Sequence, residues 1–428
     1  FENNGADLSA EMMEPLRHNS RILGLGEVMD YQSVLDGNED MLKKIELFDN
    51  AVIDGHSPGI TGKSLSAYRA AGITTDHECS TVEEAMERLR LGMYVQIREG
   101  SAARNLETIV KGLLDKGVDF GRCLFCTDDK HLEDIRKEGH INHSIRKAIS
   151  HGVNPVNAIC MATINAARCY GLERIGAIAP GYSADIIILD DLNSFRVKEV
   201  LCMGKPVSWE SNTSNTSEEI EDRNVLNTVR IPNLSASDLA IRLDSDEANV
   251  IEVIPGEIIT KRRLAHVRVA EGVFIPDKNY SKLAVVERHK ATGNIGLGII
   301  SNFNISNGAI AGTVAHDSHN LIVIGDNDSD MLTAIQELKR SNGGFTIVSG
   351  GRVIDTLELP IAGLMSSRDA GYVISKLEKM LESTGSLGVN KGIDPFMTLS
   401  FLALPVIPEI RVTDRGLFDV NGFNFISI

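Results

Sequence analysis

Residues 1–172 of this 428-residue chain predict an α/β architecture, a stretch of a (β/α)₈ barrel, on three observations. Short apolar runs alternate with segments of helical periodicity, which is the pattern of parallel strands joined by crossover helices. The alternation repeats five times at about 25 residues per unit, the size of one barrel repeat. Each run also ends in a polar residue: Glu27, His56, His77, Arg98 with Glu99, and Asp128 with Asp129. In a parallel barrel the C-terminal strand ends share one rim, where such enzymes keep their chemistry.

The elements follow in order. Leu8, Met12, Met13 and Leu16 predict a helix within residues 1–20, with Asp7 or Ser9 as cap. The strand Ile22 to Val28 carries Glu27, and Met41, Leu42, Ile45, Leu47 and Phe48 mark the next helix. Ala51-Val52-Ile53 breaks at Asp54-Gly55-His56, a Gly/Pro loop follows, and a helix over 65–71 leads to the strand that ends at His77. Thr81 and Glu84 form a capping-box pattern ahead of a helix that Gly92 stops. Strands over 93–97 and 122–126 flank a helix over 106–114, and Asn154-Pro155 opens a helix expected to run to Leu172.

Composition restricts what this scaffold serves. The length calls for two or three domains. Hydrophobic residues at 43%, aromatics at 5% and 38 glycines suit an aliphatic α/β protein with many tight turns. A net charge of -16 argues against nucleic acid or an anionic membrane surface as partner and for a small substrate. Six cysteines at irregular spacing match no disulfide framework and suit a reducing cytoplasm, and no apolar run reaches the length of a membrane span. The chain opens on Phe1, which suggests the remainder of a longer product.

Two histidines and two carboxylates at strand ends offer the nitrogen and oxygen ligands that suit Mn²⁺, Fe²⁺ or Zn²⁺, with no thiolate needed. Cys123 and Cys126 alternate within a strand and read as core. The segments GLGEVMD, DGHSPGITGKSLSAY, HECS, IREGSAARN, CTDDKH and GHINHSIRKAI, in this order and spacing, closely resemble the adenine deaminases of the amidohydrolase superfamily. The resemblance covers essentially the whole chain. It implies hydrolysis of adenine at a site of two divalent metals, with Glu27 bridging in place of the carboxylated lysine of many relatives. His56, His77 and Asp128 are then further metal ligands, Asp128 also moves protons, and Arg98, Glu99 and Ser101 bind the purine. A cytoplasmic homo-oligomer acting on a small molecule is expected.

The chain departs from that family at its front. Amidohydrolases carry a His-x-His at the end of strand one, and none occurs in these residues. The expectation is therefore a barrel whose N-terminal strands are missing and whose activity depends on a segment supplying them. The alternatives are another cyclic-amide or purine amidohydrolase, or a metal-poor binding chain.

Beyond the barrel, PG-x-x-ADI at Pro180 to Ile186 and the run from Val200 to Val207 predict part of a small β-sandwich over 173–210. Residues 211–224 read as a linker whose two Asn-x-Ser sequons arise from composition, and 225–428 as a C-terminal α+β domain. There, His316 and His319 in HDSHN suggest a hydrogen-bonded loop closing on the barrel or, alternatively, a second metal site. Gly293 to Gly298 imitates a dinucleotide fingerprint without its βαβ context, and Asn342-Gly343-Gly344 marks a turn.

Overall fold

The computed structural model describes residues 1–207 and 223–428. It divides into two compact units, Leu8–Ser217 and Glu218–Ile428, the second also taking in Phe1–Asp7. Most of the expected linker over 211–224, with both sequons, lies outside the described residues.

In the first unit, helix α1 (Ala10–Met13) is capped by the Ser9 side chain and gives way at Pro15 to a 3₁₀ turn, so the predicted helix ends early. Strand β1 (Gly24–Val28) precedes α2 (Tyr31–Leu35) and the Asn38-capped α3 (Glu39–Leu47). Then β2 (Val52–Gly55), α4 (Gly62–Ala70), β3 (Thr75–Asp76), α5 (Val82–Arg90), β4 (Tyr94–Arg98), α6 (Leu106–Asp115) and β5 (Cys123–Cys126) alternate as the periodicity predicts. The strands form two parallel sheets, β1-β2 and β3-β4-β5. Between β2 and β3 the ladder thins to Thr74 N–H on the Ile53 carbonyl at 3.0 Å and Gly55 N–H on Thr75 Oγ1 at 3.0 Å.

Helix α6 shows why the repeats hold together. Leu106, Ile109, Val110 and Leu113 recur at i, i+3, i+4 and i+7 and are buried in one core with Val95, Ile97, Cys123 and Phe125. Each such side chain removed from water contributes on the order of 1.5–3 kcal/mol. Cys123 sits in that core, and burial pushes both Cys123 and Cys126 thiols up, as a structural pair requires.

Helices α7 (Leu132–Glu138) and α8 (Ile141–Ser150) follow. The single helix expected from Pro155 to Leu172 is instead two, α9 (Pro155–Met161) and α10 (Ile164–Cys169). Thr163 breaks it, with φ -133° and ψ -95° and its hydroxyl turned back onto the Ile159 carbonyl at 2.6 Å. Strands β6 (Ile186–Leu189), β7 (Val197–Cys202) and β8 (Lys205–Pro206) form a three-stranded antiparallel sheet. The expected sandwich portion over 173–210 is thus present as strands but forms no compact unit of its own.

The second unit is built on eight strands in the order β10-β9-β14-β13-β16-β15-β17-β18. They are β9 (Glu247–Val253), β10 (Thr260–His266), the separate hairpin β11 (Val269–Ala270) and β12 (Val273–Phe274), then β13 (Tyr280–Val286), β14 (Ile295–Ser301), β15 (Ala309–Gly312), β16 (Leu321–Gly325), β17 (Gly344–Ser349) and β18 (Arg352–Glu358). Only the β9–β14 pair is parallel. Leu283, Val285, Ile322 and Ile324 point to one core and Ala284, Val286, Leu321 and Val323 to another, so both faces are covered. That accounts for their near-continuous apolar sequence. Helix α11 (Asp328–Arg340) packs on the second face, while α12 (Ala370–Thr384), α13 (Pro395–Phe401) and the antiparallel strands β19 (Ile410–Thr413), β20 (Gly416–Asp419) and β21 (Asn424–Phe425) complete the unit.

The glycines at 293–298 serve packing. A Cβ at Gly296 would lie 1.7 Å from the Thr413 carbonyl, so the residue is glycine because the β19 end passes against β14. The first seven residues were expected to belong to the barrel, and the structure corrects this. Asn3 N–H bonds Asp414 Oδ1 at 2.9 Å, Ser318 donates to Glu2 at 2.7 Å, and the Phe1 ring meets those of Phe418 and Phe423 at 4.8 and 4.7 Å.

Candidate metal centre

Five polar strand ends in the first unit meet as side chains. Glu27 Oε1 lies 2.8 Å from His77 Nε2 and 3.2 Å from His56 Nδ1, and the two imidazole centroids are 5.4 Å apart. Glu78 Oε1 lies 3.2 Å from the same His77 nitrogen and 2.6 Å from Arg98 Nη1, which also pairs with Asp128. Two overlapping sets of ligand atoms therefore stand close enough to share a cation: Glu27, His56 and His77, and His77, Glu78 and Asp128.

Local structure fixes each group. The Tyr68 hydroxyl, on α4, accepts His56 N–H at 3.0 Å and donates to the Val28 carbonyl at 2.6 Å, tying the end of β2 to the end of β1 and so His56 to Glu27. Behind His77, Asp76 is fully buried. It takes Arg88 Nε at 2.7 Å and Glu78 N–H at 3.0 Å, while Arg88 Nη2 reaches the Ser57 carbonyl at 2.7 Å. One ion pair thereby fixes the loops after β2 and β3. Asp128 has φ 50°, a left-handed conformation that aspartate tolerates, and this turns it toward Arg98 while Asp129 accepts Ala102 N–H at 2.6 Å.

The electrostatics follow from that packing. Burial works to raise the Glu27 carboxyl, but the imidazoles of His56 and His77 outweigh it and hold it well below the carboxylate range. Burial opposes the charge on His77 too, yet Glu27 and Glu78 bring it up to about 10. Glu78, raised by burial and lowered more by His77 and Arg98, falls to about 2. Two ionised carboxylates thus face two imidazoles, whose nitrogens, once deprotonated, make with them the donor set of a divalent cation site.

Comparison with known proteins adds the family. The chain matches the family described as adenine deaminase C-terminal domain over residues 257–424 and the amidohydrolase family over 2–207. It is 48% identical over 432 residues to an adenine deaminase of Clostridium acetobutylicum, across 100% of this chain and 75% of that protein. It is also 48% identical to that of Desulfitobacterium hafniense and 47% to adenine deaminase 2 of Carboxydothermus hydrogenoformans, again across 100% of this chain and 74% and 75% of theirs. This chain belongs to the adenine deaminase family. Among the described residues of this family member, no helix is long and apolar enough to cross a membrane.

Of the residues expected to bind purine, Arg98 and Glu99 close the β4 end. Arg98 pairs with Glu78 and Asp128 but leaves its buried Nε without a partner, and Glu99, fully buried, takes Lys147 at 2.7 Å on one oxygen and leaves Oε2 without one. Ser101 ties the loop after β4 to the start of α7, donating to Asp134 at 2.6 Å and accepting His131 N–H at 2.9 Å. His316 and His319 lie in the second unit, where His316 stacks on Phe401 at 5.1 Å and His319 Nδ1 accepts Ala315 N–H at 3.2 Å. Neither joins a group of metal-capable residues among those described.

Sequence reasoning missed Glu78, Tyr68 and the Asp76–Arg88 pair. Glu78 directly follows His77 in HECS, and a carboxylate beside a strand-end histidine was the available signal. Nothing in the sequence marks Tyr68 or Arg88, which act from helices.

Proposed function

We propose that the chain carries out the hydrolytic deamination of adenine to hypoxanthine and ammonia, with Glu27, His56, His77 and Asp128 at its metal-dependent site. The observation that carries this is the convergence of His56 Nδ1 and His77 Nε2 on one oxygen of Glu27. Two imidazoles and carboxylate oxygens, with His56 Nε2 buried and unpartnered, fit Mn²⁺ or Fe²⁺, and also Zn²⁺. Bound there as a pair, divalent cations supply Lewis acidity and an ionised water near neutral pH.

The chain's own residues do the rest. Glu27, with His56 and His77 at the neighbouring strand ends, would hold the cations. Asp128 takes the proton of the attacking water and delivers one to the purine ring nitrogen or the departing amine, and Arg98 keeps that carboxylate aimed. The unpartnered Arg98 Nε and Glu99 Oε2 offer one donor and one acceptor to the purine edge. Ser101 fixes the loop that follows them against the start of α7. Identity to adenine deaminases across the whole chain favours adenine over other amidohydrolase substrates.

Glu27→Ala tests this. The expected outcome is loss of bound metal and of nearly all ammonia release from adenine, with guanine and dihydroorotate untouched by the parent protein. Two retained metal equivalents with normal turnover would remove Glu27 from the site. Membership of the amidohydrolases further implies a His-x-His pair at the first barrel strand, and these residues contain none. Ammonia release is therefore expected only when a segment carrying that pair is supplied, and clear turnover by the 428 residues alone refutes the dependence.

A further inference from the structure

The second unit contains a cavity of about 440 Å³ lined by Thr228, Arg230, Arg288, His289, Ser318 and His319, among others. Its volume is that of a pocket for a small metabolite. Arg288 is only 1% exposed, and its guanidinium donates to backbone carbonyls. Nε donates to the His319 carbonyl at 2.5 Å and Nη2 to the Ala362 carbonyl at 3.1 Å, while Nη1 is buried with no acceptor. The Thr228 hydroxyl, in the same lining, is also buried without a partner. A buried donor left unmade costs about 1–3 kcal/mol, and more when charged, so two in one cavity call for an occupant that accepts from both.

The lining is cationic. Burial lowers both His289 and His319, so the imidazoles are neutral at pH 7 and charge rests on Arg288 and the exposed Arg230, against Asp317. A Cβ at Gly363 would lie 2.8 Å from Arg288 Nη1, so a glycine there leaves that edge of the guanidinium uncovered. Guanidinium edges and a hydroxyl match an oxyanion with several acceptor oxygens, for which arginine is the preferred partner.

The geometry points to a second ligand site in the C-terminal unit, which takes the phosphate group of a small phosphorylated metabolite on Arg288, Thr228 and Arg230. The volume exceeds what one inorganic ion fills, so an organic phosphate is the better occupant.

Calorimetric titration of the full chain with inorganic phosphate, AMP and acetate tests this. One phosphate per chain is expected, with AMP at least ten times tighter and acetate at least ten times weaker. Arg230→Ser, at an exposed position, is expected to weaken phosphate at least tenfold, and Thr228→Val to do the same. Glu27→Ala must leave phosphate binding intact, which separates this cavity from the metal centre. Absence of phosphate and AMP binding at millimolar concentration would overturn the site. So would binding unchanged in both cavity variants or abolished by Glu27→Ala, and acetate equal to phosphate would overturn the choice of phosphate.

Discussion

Arg88 in the first unit and Arg411 in the second, both fully buried, are treated in opposite ways. Arg88 meets a carboxylate: although burial works against its charge, Asp76 at 2.7 Å raises its pKa. Arg411 meets only carbonyls, those of Ile407, Ile258 and Pro408 at 2.7, 2.8 and 2.9 Å, and burial pushes its pKa down to about 9. Arg88 ties two loops that each present a histidine, so its charge is matched where position must be held. Arg411 caps backbone in an apolar setting, where a bridge among three carbonyls matters more than the charge. Of these two arginines, the ion-paired one thus lies in the unit that carries the histidine cluster.

The largest effect that sharpens this contrast is on rate. Asp128→Asn is expected to lower turnover roughly 10²–10⁴-fold, the usual contribution of a positioned proton carrier, while Asp129→Asn leaves most of it. Asp129 holds Ala102 N–H beneath the β4 loop, where a Cβ at Gly100 would lie 1.7 Å from its Oδ1. Steady-state ammonia release in the complete enzyme ranks the two, and the reverse ranking would place the strand register one residue off. Next in size, Arg88→Met should destabilise the first unit by about 3–5 kcal/mol, because Asp76 is left as a buried, uncompensated charge. Arg411→Met should lower stability by less, about 1–3 kcal/mol, since carbonyls lose donors but no charge is stranded. Urea titrations followed by far-UV circular dichroism measure both, and equal losses would erase the distinction.

How much of this was legible follows from where the determinants sit. Glu27, His56, His77 and Asp128 stand at breaks in apolar runs, and strand ends are visible in sequence, so their convergence could be anticipated. The same holds for α5, where Thr81 accepts Glu84 N–H at 3.3 Å and Glu84 returns to Thr81 N–H at 3.0 Å, the expected capping box. Glu78 escaped because β3 stops at Asp76, after which strand alternation no longer says where a side chain points. Arg88 sits among charges of a helix whose other face is solvated, and only the fold sets it against Asp76. Thr163 broke a helix that periodicity carried through, since its back-bond to Ile159 is a local choice that the apolar pattern does not record. Phe1 to Asp7 found partners more than 300 residues away, a separation at which sequence pattern carries no signal.

The smallest effect concerns a part-buried cluster of one carboxylate and two cations. Glu138, on α7, accepts Arg104 Nη1 at 2.8 Å and Lys130 Nζ at 2.9 Å, and Lys130 is only 1% exposed. Burial raises the Glu138 carboxyl, but Lys130 and Arg104 together outweigh it and bring it to about 2. A carboxyl whose folded pKa lies below its unfolded value of 4.5 binds fewer protons in the folded state between those values. Its contribution to stability is therefore complete above pH 4.5 and is lost as pH falls toward 2. Glu138→Gln cannot ionise, so it should be less stable than the parent at pH 6, with the gap closing progressively between pH 4.5 and pH 2. Urea midpoints of both proteins at pH 6, 4 and 3 check the sign. A gap that widens on acidification would mean that the carboxylate is not what pairs Lys130 and Arg104.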